Sequence, residues 1–172
     1  MRVLVAAATR YGATDEIAQV IGEVLGEHGL EATVVQPEQV EGVDGYDAVV
    51  VGSAVYAGHW VKPARELVER LGSELAERPV WLFSSGPVGD PPKPEEDPVD
   101  VADLLAATGA REHRVFAGKL VRQQLSFPER AIVSALRVPE GDFRDWTEVR
   151  QWAAALADAI GAGFSPQAEQ GR

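Results

Sequence analysis

Cysteine is absent from the 172-residue chain. Disulfides, thiol nucleophiles, cysteine-ligated zinc and iron–sulfur clusters are excluded together. Asparagine is absent too, and arginine outnumbers lysine; both are composition biases from which no function follows. Positive charge is scarce, with 16 Lys+Arg against 27 Asp+Glu, a net charge of -11 and a pI near 4.7. Such a surface repels phosphate backbones, so no nucleic acid is expected as partner. Long apolar runs are missing as well, and nothing approaches the ~20 residues of a membrane span. The opening MRVLVAAATRYG holds an apolar run of about six residues, shorter than the roughly 7–15 of a signal-peptide core. A cytoplasmic protein with no transmembrane segment is the expectation. What is present is enough for one domain, because 45% of the residues are hydrophobic.

Apolar runs alternate with helical patterns along the chain. Val3–Ala8 is a continuous apolar run, as expected of a strand buried on both faces. Thr14 is expected to cap a helix with the stripe Ile17, Ile21, Val24 and Leu25, which Gly29 ends. Strands are expected at Ala32–Val35, Asp47–Val51, Pro79–Phe83 and His113–Ala117. Helices are expected over Lys62 to about Glu77, over Val99–Ala107, and over a last segment carrying Trp146, Val149, Trp152, Ala153, Leu156 and Ile160. The pattern predicts an α/β doubly wound parallel sheet in a single domain over 1–164, with a polar, flexible tail over 165–172. Ligands of such sheets bind beyond the carboxyl ends of the strands, where the strand order reverses. That singles out three loops: Thr9–Thr14, Ser53–Trp60, and the stretch from Ser84 through Asp90 to Pro92.

The first loop, Thr9-Arg10-Tyr11-Gly12-Ala13-Thr14, offers two hydroxyls, several backbone N–H groups and a helix N-terminus. Together they make a phosphate cradle, with Gly12 allowing a tight turn. The plainer alternative is a short connection in which Thr14 only caps its helix. No G-x-G-x-x-G follows the first strand, and no G-x-x-x-x-G-K-[ST] occurs anywhere. A phospho-accepting receiver domain would need carboxylates where Ala7-Ala8 and Gly52-Ser53 stand, so that reading fails.

The segments T-R-Y-G-A-T and Y-D-A-V-V-V-G-S-A-V-Y-A-G-H resemble the flavodoxin family. Within that superfamily the chain is most similar to the menaquinone-dependent protoporphyrinogen oxidases. The likeness rests on T-R-x-G-x-T at Thr9–Thr14, G-H at Gly58–His59, A-G-K-L at Ala117–Leu120 and D-W at Asp145–Trp146. The resemblance implies a three-layer fold, a five-stranded parallel sheet in the order 2-1-3-4-5, and FMN as cofactor. It implies that the first loop holds the FMN phosphate and the next two bracket the flavin ring. Ser53, Ala54, Val55, Tyr56, Ala57 and Gly58 then form one wall, Ala57–Gly58 being the peptide beside the ring. Tyr56 either stacks on the flavin or packs under its loop. Ser84, Ser85, Gly86 and Pro87 form the other wall, which has no aromatic residue; either one flavin face is open to a stacked substrate, or Val88 or Pro87 covers the ring.

The same likeness frames the substrate side. His59 either steers a proton or a substrate carboxylate, or is a helix-start histidine bonded to backbone. Trp60 is a lid or core aromatic near the substrate. Residues 121–144 form an insert before the last helix, with an S-x-x-E capping box at Ser126–Glu129. Between Gly118 and Arg144, five basic residues against Glu129, Glu140 and Asp142 give a local charge of +2. The insert is either a short helix covering the sheet edge, its arginines paired with nearby acids, or a site for an amphipathic acid, with Arg122, Arg130 and Arg137 the candidate partners of substrate propionates. Three functions stay open: an oxidase of protoporphyrinogen IX with a quinone acceptor at the membrane surface, an electron carrier between a reductase and an acceptor protein, and a purely structural or regulatory FMN-binding domain. No metal site is expected.

Overall fold

The structure, a computed structural model, describes residues 1–89 and 93–163. Asp90, the end of the third loop at Pro92 and the tail from Ser165 lie outside the described residues. Strand β1 (Arg2–Ala8) is the first apolar run. Side chains alternate across a strand, so Val3, Val5 and Ala7 enter one core while Leu4, Ala6 and Ala8 enter the other. Two buried faces explain why the run is continuously apolar. Helix α1 (Ala13–Glu27) lays Ile17, Ile21 and Leu25 on the first face. There it meets α5 (Trp146–Gly163), which adds Trp152, Leu156 and Ile160. Helix α2 (Lys62–Leu75) brings Leu67, Leu71 and Leu75 to the second face, next to Leu104 of α3 (Val101–Thr108). The result is three layers, α/β/α.

Strands β2 (Glu31–Val35), β1, β3 (Ala48–Tyr56), β5 (Val80–Ser85) and β6 (Glu112–Phe116) pair in parallel in that order. This is the expected 2-1-3-4-5 order. Only the numbering is displaced, by the two-residue β4 (His59–Trp60), which turns back antiparallel on the end of β3. Phe83, Phe116 and Trp152 close the first core with ring centroids 5.4–6.1 Å apart.

Two strands outrun their expected ends. β3 continues through Tyr56, and β5 takes in Ser84 and Ser85, because the ladder pairing Ser53 with Ser84 and Ala54 with Ser85 persists. Small and hydroxylated residues carry no strand periodicity, so these positions read as loop. Helix α3 starts at Val101 rather than Val99, whose N–H donates to the Gly58 carbonyl at 2.8 Å. Thr14 does not cap α1: it lies buried inside the first turn, and the residue before the helix is Gly12 at φ +93°.

The insert has its own framework. β7 (Lys119–Leu120) pairs antiparallel with β8 (Gly141–Asp142) and closes its base. Between them stand a 3-10 turn at Arg122–Gln124 and helix α4 (Phe127–Ala135). Only half of the capping box forms: Ser126 Oγ accepts the Glu129 N–H at 3.4 Å, while the Glu129 carboxylate turns elsewhere. α4 buries no residue: Phe127 is 80% and Ile132 58% exposed, and Leu136, just past its end, is 71% exposed. No helix among the described residues is long and apolar enough to cross a membrane.

Candidate cofactor cleft

The carboxyl ends of β1, β3 and β5 open on a cleft of about 300 Å³. At one end lies the Thr9–Thr14 loop. Thr9 Oγ1 accepts the Gly12 N–H at 2.8 Å, and the positive φ of Gly12 turns the chain directly into α1. The first helical bond runs from the Glu16 N–H to the Gly12 carbonyl at 3.1 Å. The N–H groups of Ala13, Thr14 and Asp15 therefore have no helical acceptor, and no side chain among the described residues caps them. An uncapped N-terminus at the end of a parallel strand is a donor set for a phosphate.

The β3–β4 hairpin forms a second wall, its turn made by Ala57 at φ +51° and Gly58 at φ +78°. The Tyr56 ring meets Tyr11 edge-on, with centroids 6.2 Å apart, and the Arg10 guanidinium lies 4.7 Å from its centre. Burial, then the neighbouring Tyr11, pushes the Tyr56 phenol up to about 12, so it stays protonated at every physiological pH. The third loop contributes Ser85, Gly86, Val88, Lys93 and Pro94 and no aromatic residue. Its open ends are joined by paired backbone bonds between Val88 and Lys93. Gly118 packs its backbone on Gly86, where an added Cβ would stand 2.9 Å from the Gly86 Cα. A side chain there would push the third loop off the cleft.

Thr9, Arg10, Tyr11, Ala13, Thr14, Ala54, Val55, Tyr56, Ser85 and Gly86 thus line one cleft. Ala57, Gly58 and Pro87 line an adjoining pocket of about 420 Å³. Ser53 is a correction, because its hydroxyl is spent on the fold: it donates to the Ala54 carbonyl and accepts the Val61 N–H. The Ser84 hydroxyl is likewise internal, between Trp60 and His113. Of the two readings of Trp60, lid or core, the core one holds, and its placement beside a substrate is a second correction. It is buried in the α2-side core and cannot touch a substrate. His59 turns away from the cleft, its Nδ1 3.2 Å from both oxygens of Asp100.

The insert arginines part company. The Arg122 guanidinium is bonded to the Val138 carbonyl. Arg130 lines neither pocket, and Arg137 borders a neighbouring groove with Leu136 and Val138. Neither of these two makes an ion pair among the described residues. Arg144, counted with the basic insert, is a buried clasp on Asp142, Glu16 and the Ala13 carbonyl. Its guanidinium holds the Asp142 carboxyl below the usual carboxylate range.

Glu129 was legible only as a capping residue. In the structure it accepts from Arg10 and, at 2.6 Å, from the Tyr11 hydroxyl, tying α4 to the first loop. The Tyr11 bond is the largest reason that its carboxyl titrates below the ordinary value. No sequence signal joins residues so far apart in the chain. Lys93, Val121, Gln124 and Leu125 also line the cleft without having been expected there.

A three-layer sheet of this order, with a phosphate-ready helix start facing small-residue hairpin and loop walls, defines a flavodoxin-like protein. The profile described as a Flavodoxin domain matches residues 4–147, and the chain belongs to that family. Membership implies a flavin, FMN, as ligand, and the uncapped α1 N-terminus beside a slot walled by Tyr56 and the third loop fits it. The protoporphyrinogen IX dehydrogenase [quinone] of Escherichia coli (strain K12) is 25% identical, over 91% of this chain and 95% of that one. A flavodoxin from the domain Archaea superposes with a TM-score of 0.65 at 15% identity, covering 94% of this chain and 99% of that one. The rubredoxin:oxygen oxidoreductase of Desulfovibrio gigas gives 0.64 at 14% identity over 94% of this chain, which spans 36% of that larger protein. The structural likenesses are to the fold.

Proposed function

We propose that the chain is an FMN-dependent oxidoreductase of the protoporphyrinogen-oxidising type, with a quinone as electron acceptor. The single observation that carries the cofactor half is the uncapped start of α1 behind Gly12, at the end of β1. The Ala13, Thr14 and Asp15 N–H groups would hold the FMN phosphate, and Ala54, Val55, Tyr56, Ser85 and Gly86 would flank its ring. Bound there, FMN supplies two-electron chemistry, and no side-chain nucleophile is required.

The observation that favours an enzyme is α4. A nine-residue helix that shows its apolar residues to water, beside the unpaired Arg130 and Arg137, suits an apolar anion or an anionic lipid surface. Arg137 has φ +53° at the end of α4, where the N–H of Val138 bonds back to the Val133 carbonyl. Glycine is the ordinary residue at such a position, so an arginine here carries strain that its side chain must justify. The 25% identity to the E. coli dehydrogenase, over nearly both whole chains, supports the same reading. The alternative carrier reading rests on the net charge of -11, which suits docking to basic patches of a reductase.

The deciding experiment is anaerobic mixing of the FMN-loaded protein with protoporphyrinogen IX, following flavin bleaching and porphyrin fluorescence. Bleaching that a quinone reverses is expected. A flavin that stays oxidised here, yet is rapidly reduced by a flavodoxin reductase in a salt-dependent way, would establish the carrier. Neither response, with FMN bound, would leave a structural or regulatory domain.

A further inference from the structure

The buried tryptophan of β4 sits at one end of a polar chain that crosses the α2-side of the sheet. The Trp60 indole N–H donates to Ser84 Oγ at 2.7 Å. Ser84 Oγ lies 2.7 Å from His113 Nε2, and His113 Nδ1 lies 3.7 Å from Asp97. Ser84 is 0% exposed and the His113 side chain 5%. The order Ser-His-Asp is that of a hydrolytic triad. Ser84 cannot serve as its nucleophile, because it is sealed from solvent and its oxygen already accepts the indole proton.

The chain has only one consistent set of proton positions when His113 is neutral. Asp97 favours the proton on Nδ1, Nε2 keeps its lone pair, and the Ser84 hydroxyl donates to it while accepting from Trp60. Protonated His113 would present an N–H at Nε2 to a hydroxyl whose hydrogen has no other acceptor among the described residues. The conflict would be felt at Trp60, which follows His59 out of the Ala57–Gly58 turn that lines the adjoining pocket with Val115.

We propose that His113, acting through Ser84 and Trp60, positions the Tyr56–His59 hairpin and thereby sets how tightly the cleft holds a flavin. The proposal rests on the FMN reading above and adds a residue outside the cleft to it. His113 is a positioning residue, since nothing bound in the cleft reaches it.

The groups acting on His113 are few. Burial lowers its pKa below 6.5, while Asp97 from the loop before α3 and Glu112 on its own strand raise it in part. Asp100, at the start of α3, is engaged by His59 and by the Trp60 backbone N–H. β5 presents only the neutral Ser84. A group with a depressed histidine pKa is neutral at pH 7, so the chain is intact there and fails as pH falls through the lowered value.

The test begins with the apo protein and nuclear magnetic resonance. The Trp60 indole proton should shift with the same midpoint as the His113 ring, and lose that dependence in Ser84→Ala. His113→Gln, whose amide oxygen can accept from Ser84 at all pH values, should hold the indole shift constant. With FMN added, the wild-type dissociation constant should rise about threefold to tenfold as pH falls through that midpoint, the worth of one hydrogen bond. In His113→Gln it should stay flat. An indole proton that ignores the His113 titration overturns the proposal, as does a wild-type pH profile of FMN affinity that survives in His113→Gln. Absence of FMN binding at every pH would sink the cofactor reading and the affinity effect with it. The indole titration decides the hairpin connection independently.

Discussion

The Thr9–Thr14 loop and helix α4 meet through Glu129 at the mouth of the cleft, yet they are held by opposite means. The loop grows out of β1, whose side chains are buried on both faces, and runs into a helix packed on the same core. Its shape follows from the sheet, one side-chain bond from Thr9 and one positive φ at Gly12. α4 buries nothing, and what joins it to the first loop is polar: the Glu129 carboxylate gripped by Arg10 and Tyr11. A wall set by the core keeps its geometry whether or not a ligand is present. A wall set by one exposed ionic clasp can move, so the cofactor end of the cleft is preorganised and the insert end is adaptable.

The sharpest contrast is thermodynamic. Phe83→Ala should cost about 3–5 kcal/mol in urea unfolding, because it opens a void against Phe116 and Trp152. Phe127→Ala, an equal truncation on α4, should cost no more than about 0.5 kcal/mol. Comparable losses at the two positions would erase the distinction between the walls.

Gly12→Val tests whether the loop's shape, rather than its chemistry, makes the phosphate cradle. A β-branched residue at φ +93° costs about 1–2 kcal/mol locally. FMN affinity by fluorescence quenching should fall at least about tenfold, with the fold retained by circular dichroism. An unchanged affinity would mean that the α1 N-terminus does not carry the phosphate.

The clasp is testable by charge. Glu129→Gln should quicken amide hydrogen exchange across Phe127–Ala135 about fivefold at pH 7, while α1 is unaffected. The sign in pH follows from a carboxyl that titrates below its ordinary 4.5 in the fold. Its contribution is full above that value and lost as pH falls through the lowered one. Acid should therefore loosen α4 in the wild type and change little in the variant.

Arg137→Gly is the smallest effect and has the opposite sign. Glycine relieves the φ of +53°, so α4 should gain about 0.5–1 kcal/mol of local protection in the same exchange measurement. If Arg137 serves a substrate anion, the gain should come with a raised KM and an unchanged FMN content.

The three-layer order was readable because each inner strand is apolar on both faces and each helix carries one stripe, patterns that burial alone imposes. The tight turn into α1 was readable because a glycine at a strand–helix junction marks a left-handed backbone position. Ser53, Ser84 and Trp60 were misplaced for a common reason. A hydroxyl near a strand end looks the same in sequence whether it faces a ligand or bonds within the sheet, and an aromatic beside a loop looks the same as lid or core. The arginines of the insert show the limit most clearly. By composition they are one basic patch, whereas in three dimensions Arg144 is a buried clasp, Arg122 is spent on the Val138 carbonyl, and Arg130 and Arg137 make no ion pair among the described residues.

What the sequence determined by itself is the periodic part, the strands, the helices and the glycine-bearing turn that opens α1, because these depend on neighbours within a few residues. Tertiary structure alone decided which polar side chains meet. The Glu129 clasp spans 118–119 residues and the Ser84–His113 bond 29. Such pairs are chosen by where the sheet and the insert bring distant backbone together, and no local pattern in the chain encodes that distance.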